Sequence, residues 1–201
     1  MRVLFAASAV IFLTGCSDSP APVKKASEPP PAPISGRQAF QYVYGSSRIW
    51  ATDSLPLTLR SLHVAEVKPG AGKAGAWEVV FVSESTGRAR TYTWSAVEAE
   101  GLHKGVFPGQ QESWRTGGAN QPFSPALLKV DTPEALEAAT KAAGDYVNKP
   151  GKRPPVSYML EYEAGSRFPN PVWRVLWGGS ISSAEYSATV DATTGKVVGR
   201  D

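Results

Sequence analysis

Apolar and polar residues alternate in two stretches of closely similar pattern. Trp77-Glu78-Val79-Val80-Phe81-Val82 puts Trp77, Val79 and Phe81 on one face, and Trp173-Arg174-Val175-Leu176-Trp177 does the same with Trp173, Val175 and Trp177. A two-residue period of this kind marks a half-buried strand. Both stretches read W-x-V-x-[F/W] and lie 96 residues apart. Each is followed by a polar turn, Ser83–Arg88 or Gly178–Ser183, and then by a second β-rich run, Ala89–Val97 or Ala184–Val190. The runs close on Val97-Glu98-Ala99-Glu100-Gly101 and Val190-Asp191-Ala192-Thr193-Thr194-Gly195, a strand, an acidic residue and a glycine turn. Upstream, Leu57–Val67 and Val156–Glu163 alternate as well and predict a preceding strand in each half.

A helix opens each half. Ser35-Gly36-Arg37-Gln38 reads as a capping box before Phe40, Val43 and Tyr44. Thr132-Pro133-Glu134 reads as the cap of a second helix, whose face is Leu136, Ala139, Ala143, Tyr146 and Val147. Each half therefore runs helix, strand, strand, strand, and an internal repeat is the strongest fold signal in the chain. The predicted class is α+β: two tandem repeats, 35–104 and 132–201, each a helix packed on a small antiparallel β-sheet. Gly105–Val130 is rich in Gly, Pro, Gln and Ser, so 105–131 is expected to be a linker, with Trp114 pinning it to a domain surface or offered to a partner.

The start of the chain reads as an address. Arg2 precedes an apolar run, Val3–Leu13, interrupted only by Ser8. That run is too short to span a bilayer and fits the apolar region of a secretory signal. It ends in Leu13-Thr14-Gly15-Cys16, which resembles the lipobox of bacterial lipoproteins. The resemblance implies a signal peptide at 1–15, a diacylglyceryl group on the Cys16 sulfur, and a membrane anchor. Ser17 after the cysteine implies, in diderm bacteria that follow the aspartate-retention rule, the periplasmic face of the outer membrane. Residues 16–34 follow as a tether holding six of the seventeen prolines and almost no large apolar residue, a composition for a disordered spacer with polyproline-II character.

Tyr186-Ser187-Ala188-Thr189-Val190-Asp191-Ala192-Thr193-Thr194-Gly195-Lys196-Val197-Val198 is similar to the closing strand of PepSY-type domains, and Trp173-Arg174-Val175 resembles the tryptophan-bearing strand before it. The resemblance covers about 132–201, and more loosely 36–104, where Glu98 stands for the aspartate. It implies small helix-plus-sheet modules of secreted and membrane proteins, used for binding or inhibition. Asp191 is then structural, accepting backbone N–H bonds in its turn.

Composition narrows the chemistry. Cys16 is the single cysteine, which excludes an internal disulfide framework and a cysteine-built metal cluster. Twenty-one basic and 18 acidic residues give +3, too little for a nucleic-acid surface. His63 falls in an alternating strand and His103 in a glycine-flanked turn, with no sequence partner to orient either. Glu161 and Glu163 share a strand face, and Glu66 or Glu185 are candidates to approach them. Such a pair can divide acid and base roles or be a solvated sheet face. Gly70–Gly75 lacks the serine or threonine of a phosphate loop and reads as a flexible hairpin loop, and Lys149–Pro155 is a basic loop open to anionic groups. Tyr158 with Tyr162, and Tyr92 with Trp94, make aromatic strand faces that either bind a peptide or sugar or are packed together by the two halves.

These observations lead to a non-catalytic binding or inhibitory and regulatory module of the cell envelope, anchored through Cys16, with no cofactor and no metal. Its partner is expected to be an envelope protein, peptide or glycan. The alternatives are a structural or assembly lipoprotein and, behind it, an unrecognised hydrolase. Mass spectrometry of the native protein should find Cys16 as an acylated N-terminus, and Cys16→Ser should release the protein from membranes or leave the precursor uncut. An unmodified N-terminus elsewhere would refute the lipobox reading.

Overall fold

The alternating stretches are strands, and the residues that alternate inward are those with the largest apolar surface to bury. A computed structural model describes residues 30–163, 165 and 168–200. Its elements are β1 (Ile34–Ser35), α1 (Gly36–Trp50), β2 (Leu55–Leu62), β3 (Lys73–Ala74), β4 (Ala76–Ser83), β5 (Arg88–Ser95) and β6 (Gly105–Ser113). They continue as α2 (Thr132–Ala142), α3 (Gly144–Asn148), β7 (Val156–Glu161), β8 (Val172–Trp177), β9 (Tyr186–Asp191) and β10 (Val197–Arg200), with 3₁₀ turns at Pro125–Leu127 and Ile181–Ser183. The fold is α+β. β1 and β3 pair on their own, and an eight-stranded antiparallel sheet runs β10-β9-β8-β7-β2-β4-β5-β6. Cys16 and the tether residues up to 29 lie outside the described residues.

The chain passes twice through a helix and a four-strand meander, and the two passes share landmarks. Trp77 and Trp173 are fully buried at matching places in β4 and β8. The Trp77 indole N–H donates to the Ile34 carbonyl at 3.0 Å, and the Trp173 indole donates to the Val130 carbonyl at 2.9 Å. Both acceptors immediately precede a helix N-cap, Ser35 or Asp131, and each cap is closed by its third helical residue, Gln38 or Glu134. The cap of α2 is thus Asp131, one residue before the expected Thr132, because its carboxylate reaches the free N–H groups that Thr132 would leave.

Three expectations change. The halves do not build separate sheets: β2 and β7 pair antiparallel, so all eight strands are continuous and the described residues from 31 onward form one unit. The expected linker begins as β6, paired with β5 along Arg88–Ser95. Its Pro108, which cannot donate a hydrogen bond, is tolerated on this outermost strand beside a bulge. The acidic turns are also not equivalent as the sequence aligns them. Trp77 faces Trp94 and Trp173 faces Val190, so Ser95, not Glu98, stands where Asp191 stands.

Both long helices cover one side of the sheet, α1 on β4 and β5 and α2 on β8 and β9. The aromatic strand faces lie under them: Tyr92 is 1% exposed and Tyr158 4%, while half-buried Trp94 stacks on Tyr42 of α1 at 6.1 Å. The halves join edge to edge, the helices cover the aromatic side, and the rings of both halves share one core, where Trp77 meets Tyr158 at 6.1 Å. The opposite side carries Thr58, Arg60, Glu78, Thr91, Thr93, Met159, Glu161, Arg174 and Thr189.

Trp173→Ala should cost about 3–5 kcal/mol in urea unfolding, and Trp173→Phe, which leaves the Val130 carbonyl unpaired, about 1–3 kcal/mol. Acid stability should depend on Asp53, which accepts from the Ser85 N–H at 3.0 Å and the Ser83 hydroxyl at 2.8 Å. Those bonds hold its carboxyl down at about 2. A carboxyl depressed on folding stabilises above its unfolded value of about 3.9 and loses that contribution as pH falls through the folded one. Asp53→Asn should therefore flatten the fall in stability between about pH 4 and pH 2, measured by denaturant midpoint against pH.

Candidate functional site

The seam between the halves is narrow. β2 and β7 are in register over Thr58↔Glu161, Leu59↔Leu160 and Arg60↔Met159. Arg60 faces Glu78 in one half and Met159 faces Arg174 in the other, and Glu78 and Arg174 are 96 residues apart in sequence. Arg60 and Met159 thus hold equivalent places and face each other, so an approximate two-fold axis passes between them.

To either side of these pairs the strands diverge into a fork. One fork is closed by the chain itself: the Phe123 N–H donates to the Pro56 carbonyl at 3.1 Å and the Gln121 N–H to the Tyr162 carbonyl at 2.6 Å. Asn120 bridges Glu163, and the Phe123 ring is 3% exposed in the core. The other fork opens onto a groove. Its larger chamber, about 580 Å³, is lined by Arg60–His63, Ser157–Met159, Leu176 and the strap Gly179–Ser182. A smaller chamber of about 210 Å³ shares Ser61–His63, Ser157 and Gly179 with it and is lined further by Pro69, Ala74, Pro154 and Pro155. The larger volume lies in the range of small-ligand sites.

The strap is set by Gly178. Its φ is +152°, and a Cβ there would come within 2.7 Å of the Ala184 backbone, so only glycine closes this loop. Ile181 tops the strap, lines the groove and is still 53% exposed. At the throat the Tyr158 N–H donates to the Ser61 hydroxyl at 2.9 Å, where a strand partner would otherwise sit.

The sequence-predicted residues are dispersed. His63 follows β2 and is exposed at the groove rim, with no hydrogen bond to another described residue. His103 lies far along the chain in the turn before β6, where Nδ1 meets Glu98 at 2.7 Å and the ring lies tilted against Phe107 at 4.2 Å. Glu161 and Glu163 do come together, but around a cation: the Arg174 Nε donates to Glu161 and its NH2 group to Glu163 at 2.5 Å. Burial disfavours the Arg174 charge, yet the two carboxylates outweigh it and hold the guanidinium above its usual value. Glu66 sits in an exposed turn, and Glu185 accepts from the Tyr146 hydroxyl at 2.9 Å, so neither joins them.

Other candidates are also spent on structure. Gly72, in the expected flexible loop, packs on the start of α2: its carbonyl accepts from the Thr132 hydroxyl at 2.5 Å, and a Cβ would lie 2.4 Å from Pro133. Arg153 of the basic loop folds over the Tyr146 ring at 5.1 Å and donates to the Tyr146 and Lys149 carbonyls. Trp114 is half-buried, and its backbone N–H donates to the Gly87 carbonyl at 2.9 Å. Asp191 accepts from the Thr193 and Thr194 N–H groups at 2.9 and 2.8 Å and from the Asn170 amide at 3.0 Å. Burial pushes its carboxyl up, and these donors together more than reverse the effect. Sequence reasoning missed the groove itself, whose walls come from segments about a hundred residues apart, and it missed Arg174, read only as the polar member of an alternating strand.

The chain matches no family model and no curated relative. Among solved structures it resembles one from Clostridium difficile 630, described as that of "a putative lipoprotein", with a TM-score of 0.52 at 11% identity over 81% of this chain and 91% of that one. At that identity the likeness concerns the fold. Among the described residues no helix is long and apolar enough to cross a membrane.

Arg174→Met should leave Glu161, itself 3% exposed, as an uncompensated buried carboxylate and cost about 3–5 kcal/mol in chemical unfolding. Adding Glu161→Gln should recover most of that loss, since no buried charge then remains without a partner.

Proposed function

We propose that this chain is a lipid-anchored cell-envelope protein whose two PepSY-like halves form a non-catalytic binding module. The anchor rests on Leu13-Thr14-Gly15-Cys16 and the short apolar run before it. The description of the similar Clostridium structure as a lipoprotein agrees with it. The PepSY-like reading rests on the closing strand, Asp191 turn and tryptophan strand of the second half, and on a first half that follows the same order of elements.

The observation that carries the binding reading is the groove at the seam. It is concave, walled by Leu62, Met159, Leu176 and Ile181 with serines between, and formed by both halves. A concave apolar surface of this size favours a ligand over broad structural packing. The groups that acid–base chemistry would need are held by other side chains or apart. Glu161 and Glu163 are bound to Arg174, and His63 has no carboxylate beside it among the described residues to orient the ring.

The test combines two measurements on the full chain. A photo-crosslinking residue at Leu62 should capture a partner in cells, and the same group at Val198, exposed on the far edge strand, should not. Purified protein given peptide, ester, phosphate and glycoside substrates should give background turnover. Turnover that survives repurification and is lost in His63→Ala or Glu161→Gln would replace this reading with a hydrolase.

A further inference from the structure

The two forks of the seam are related by the axis between Arg60 and Met159, yet only one is filled. At the filled fork the chain lays an extended segment, Asn120–Phe123, against both diverging strands and sends an aromatic ring into the core. The open fork has the same kind of backbone on offer. The Tyr158 N–H points toward β2, since it reaches the Ser61 hydroxyl. Strand groups alternate in direction, so Val156 and Leu160 aim the same way. Leu59 faces Leu160 across the seam, which directs the N–H and C=O of Leu59, and by alternation of Ser61 and His63, toward β7. Past Arg60 the two strands no longer pair: the Tyr158 N–H is taken by the Ser61 hydroxyl at 2.9 Å, and Ser61–His63 and Val156–Tyr158 border the groove.

We propose that the open fork takes an extended peptide segment of a partner protein, which adds its backbone to the Ser61–His63 and Val156–Tyr158 edges. One apolar side chain of that segment seats among Leu62, Met159, Leu176 and Ile181. The inference deepens the binding reading above and rests on it. Its basis is the combination of two strand edges that do not pair with each other past Arg60, bridged only by the Ser61 hydroxyl on the Tyr158 N–H, with an apolar floor. Main-chain bonds give such a site affinity, and the pocket beneath selects the side chain. The fork Asn120–Phe123 occupies is the precedent within the same molecule. The strap at Gly178–Ala184 supplies the roof, and Ile181 loses exposure when the site is filled.

The probe is a blocked hexapeptide of alternating Val and Thr with a central Leu, titrated into the isotope-labelled full chain in detergent and followed by amide NMR. The expected result is saturable shifts concentrated at Ser61–His63, Val156–Tyr158 and Gly179–Ser182. N-methylation of alternate peptide nitrogens, or Ser for the central Leu, should weaken binding at least tenfold. Ile181→Ser should weaken it about fivefold, and Val198→Ser should leave it unchanged. An N-methylated peptide that binds as well as its parent overturns strand addition. Saturable shifts confined elsewhere, or no shifts at all, overturn the groove as the peptide site while leaving the crosslinking result to decide the binding reading. The same shifts on raising protein concentration without peptide assign the fork to a second copy and overturn the proposal. Cleavage of the peptide would remove the binding reading itself.

Discussion

One carboxylate serves the start of both long helices, and the joining of the two halves depends on it. Asp131 caps its own helix through the Thr132 N–H at 2.7 Å, accepts the Arg37 N–H of α1 at 2.9 Å, and takes the Ser35 hydroxyl at 2.5 Å. Each helix presents unpaired N–H groups and the positive end of its dipole there, so a negative charge between them satisfies both. Beside it the Gly36 N–H donates to the Thr132 hydroxyl at 2.9 Å, and that hydroxyl donates to the Gly72 carbonyl. The approach is close enough that a Cβ on Gly36 would lie 2.6 Å from the Trp173 ring. The helices therefore meet at their N-termini above the seam, and the aromatic side of the sheet is covered.

The seam follows from this clasp. With the helix starts held together, β2 and β7 are adjacent and pair, but only over three residues before they part. No turn joins β2 to β7, so nothing in the chain's local connection fixes their pairing over a longer run. The molecule closes one side of the gap with Asn120–Phe123 and leaves the other side as the groove. A site formed in this way needs no catalytic residues. It is made of strand edges and apolar side chains, and the ionisable groups nearby are arranged to neutralise one another, as Arg60 does with Glu78 at 2.7 Å and Arg174 with Glu161 and Glu163.

Burial explains the sorting of residues between the two sheet faces. The rings of Trp77, Phe81, Tyr92, Tyr158 and Trp173 lie on the helix side, with Phe40 of α1 stacked on Phe81 at 5.8 Å. On the other side charged residues and threonines stand beside apolar Val82, Val172 and Leu176, the threonines' branched chains suiting a strand and their hydroxyls suiting water. The aromatic surplus of the sequence is therefore core material, and the opposite face mixes charged and polar residues with the apolar walls of the groove.

Much of this could be read in the residues themselves. Alternation located the strands, the Ser35 capping box located α1, and the two W-x-V-x-[F/W] stretches gave the doubled order of elements, because all of these depend on neighbours a few residues apart. The turn at Asp191 was legible for the same reason: a carboxylate, two threonines and a glycine are enough to specify it. What depended on distant residues was not legible. That Ser95 matches Asp191, that Glu161 and Glu163 are bound to Arg174, that Gly105–Ser113 is an edge strand and that the halves share one sheet all follow from strand register. Register is set by which surfaces meet when the chain packs. The groove lies wholly in that second category, since its walls acquire a common surface only when Asp131 draws the two helix starts together.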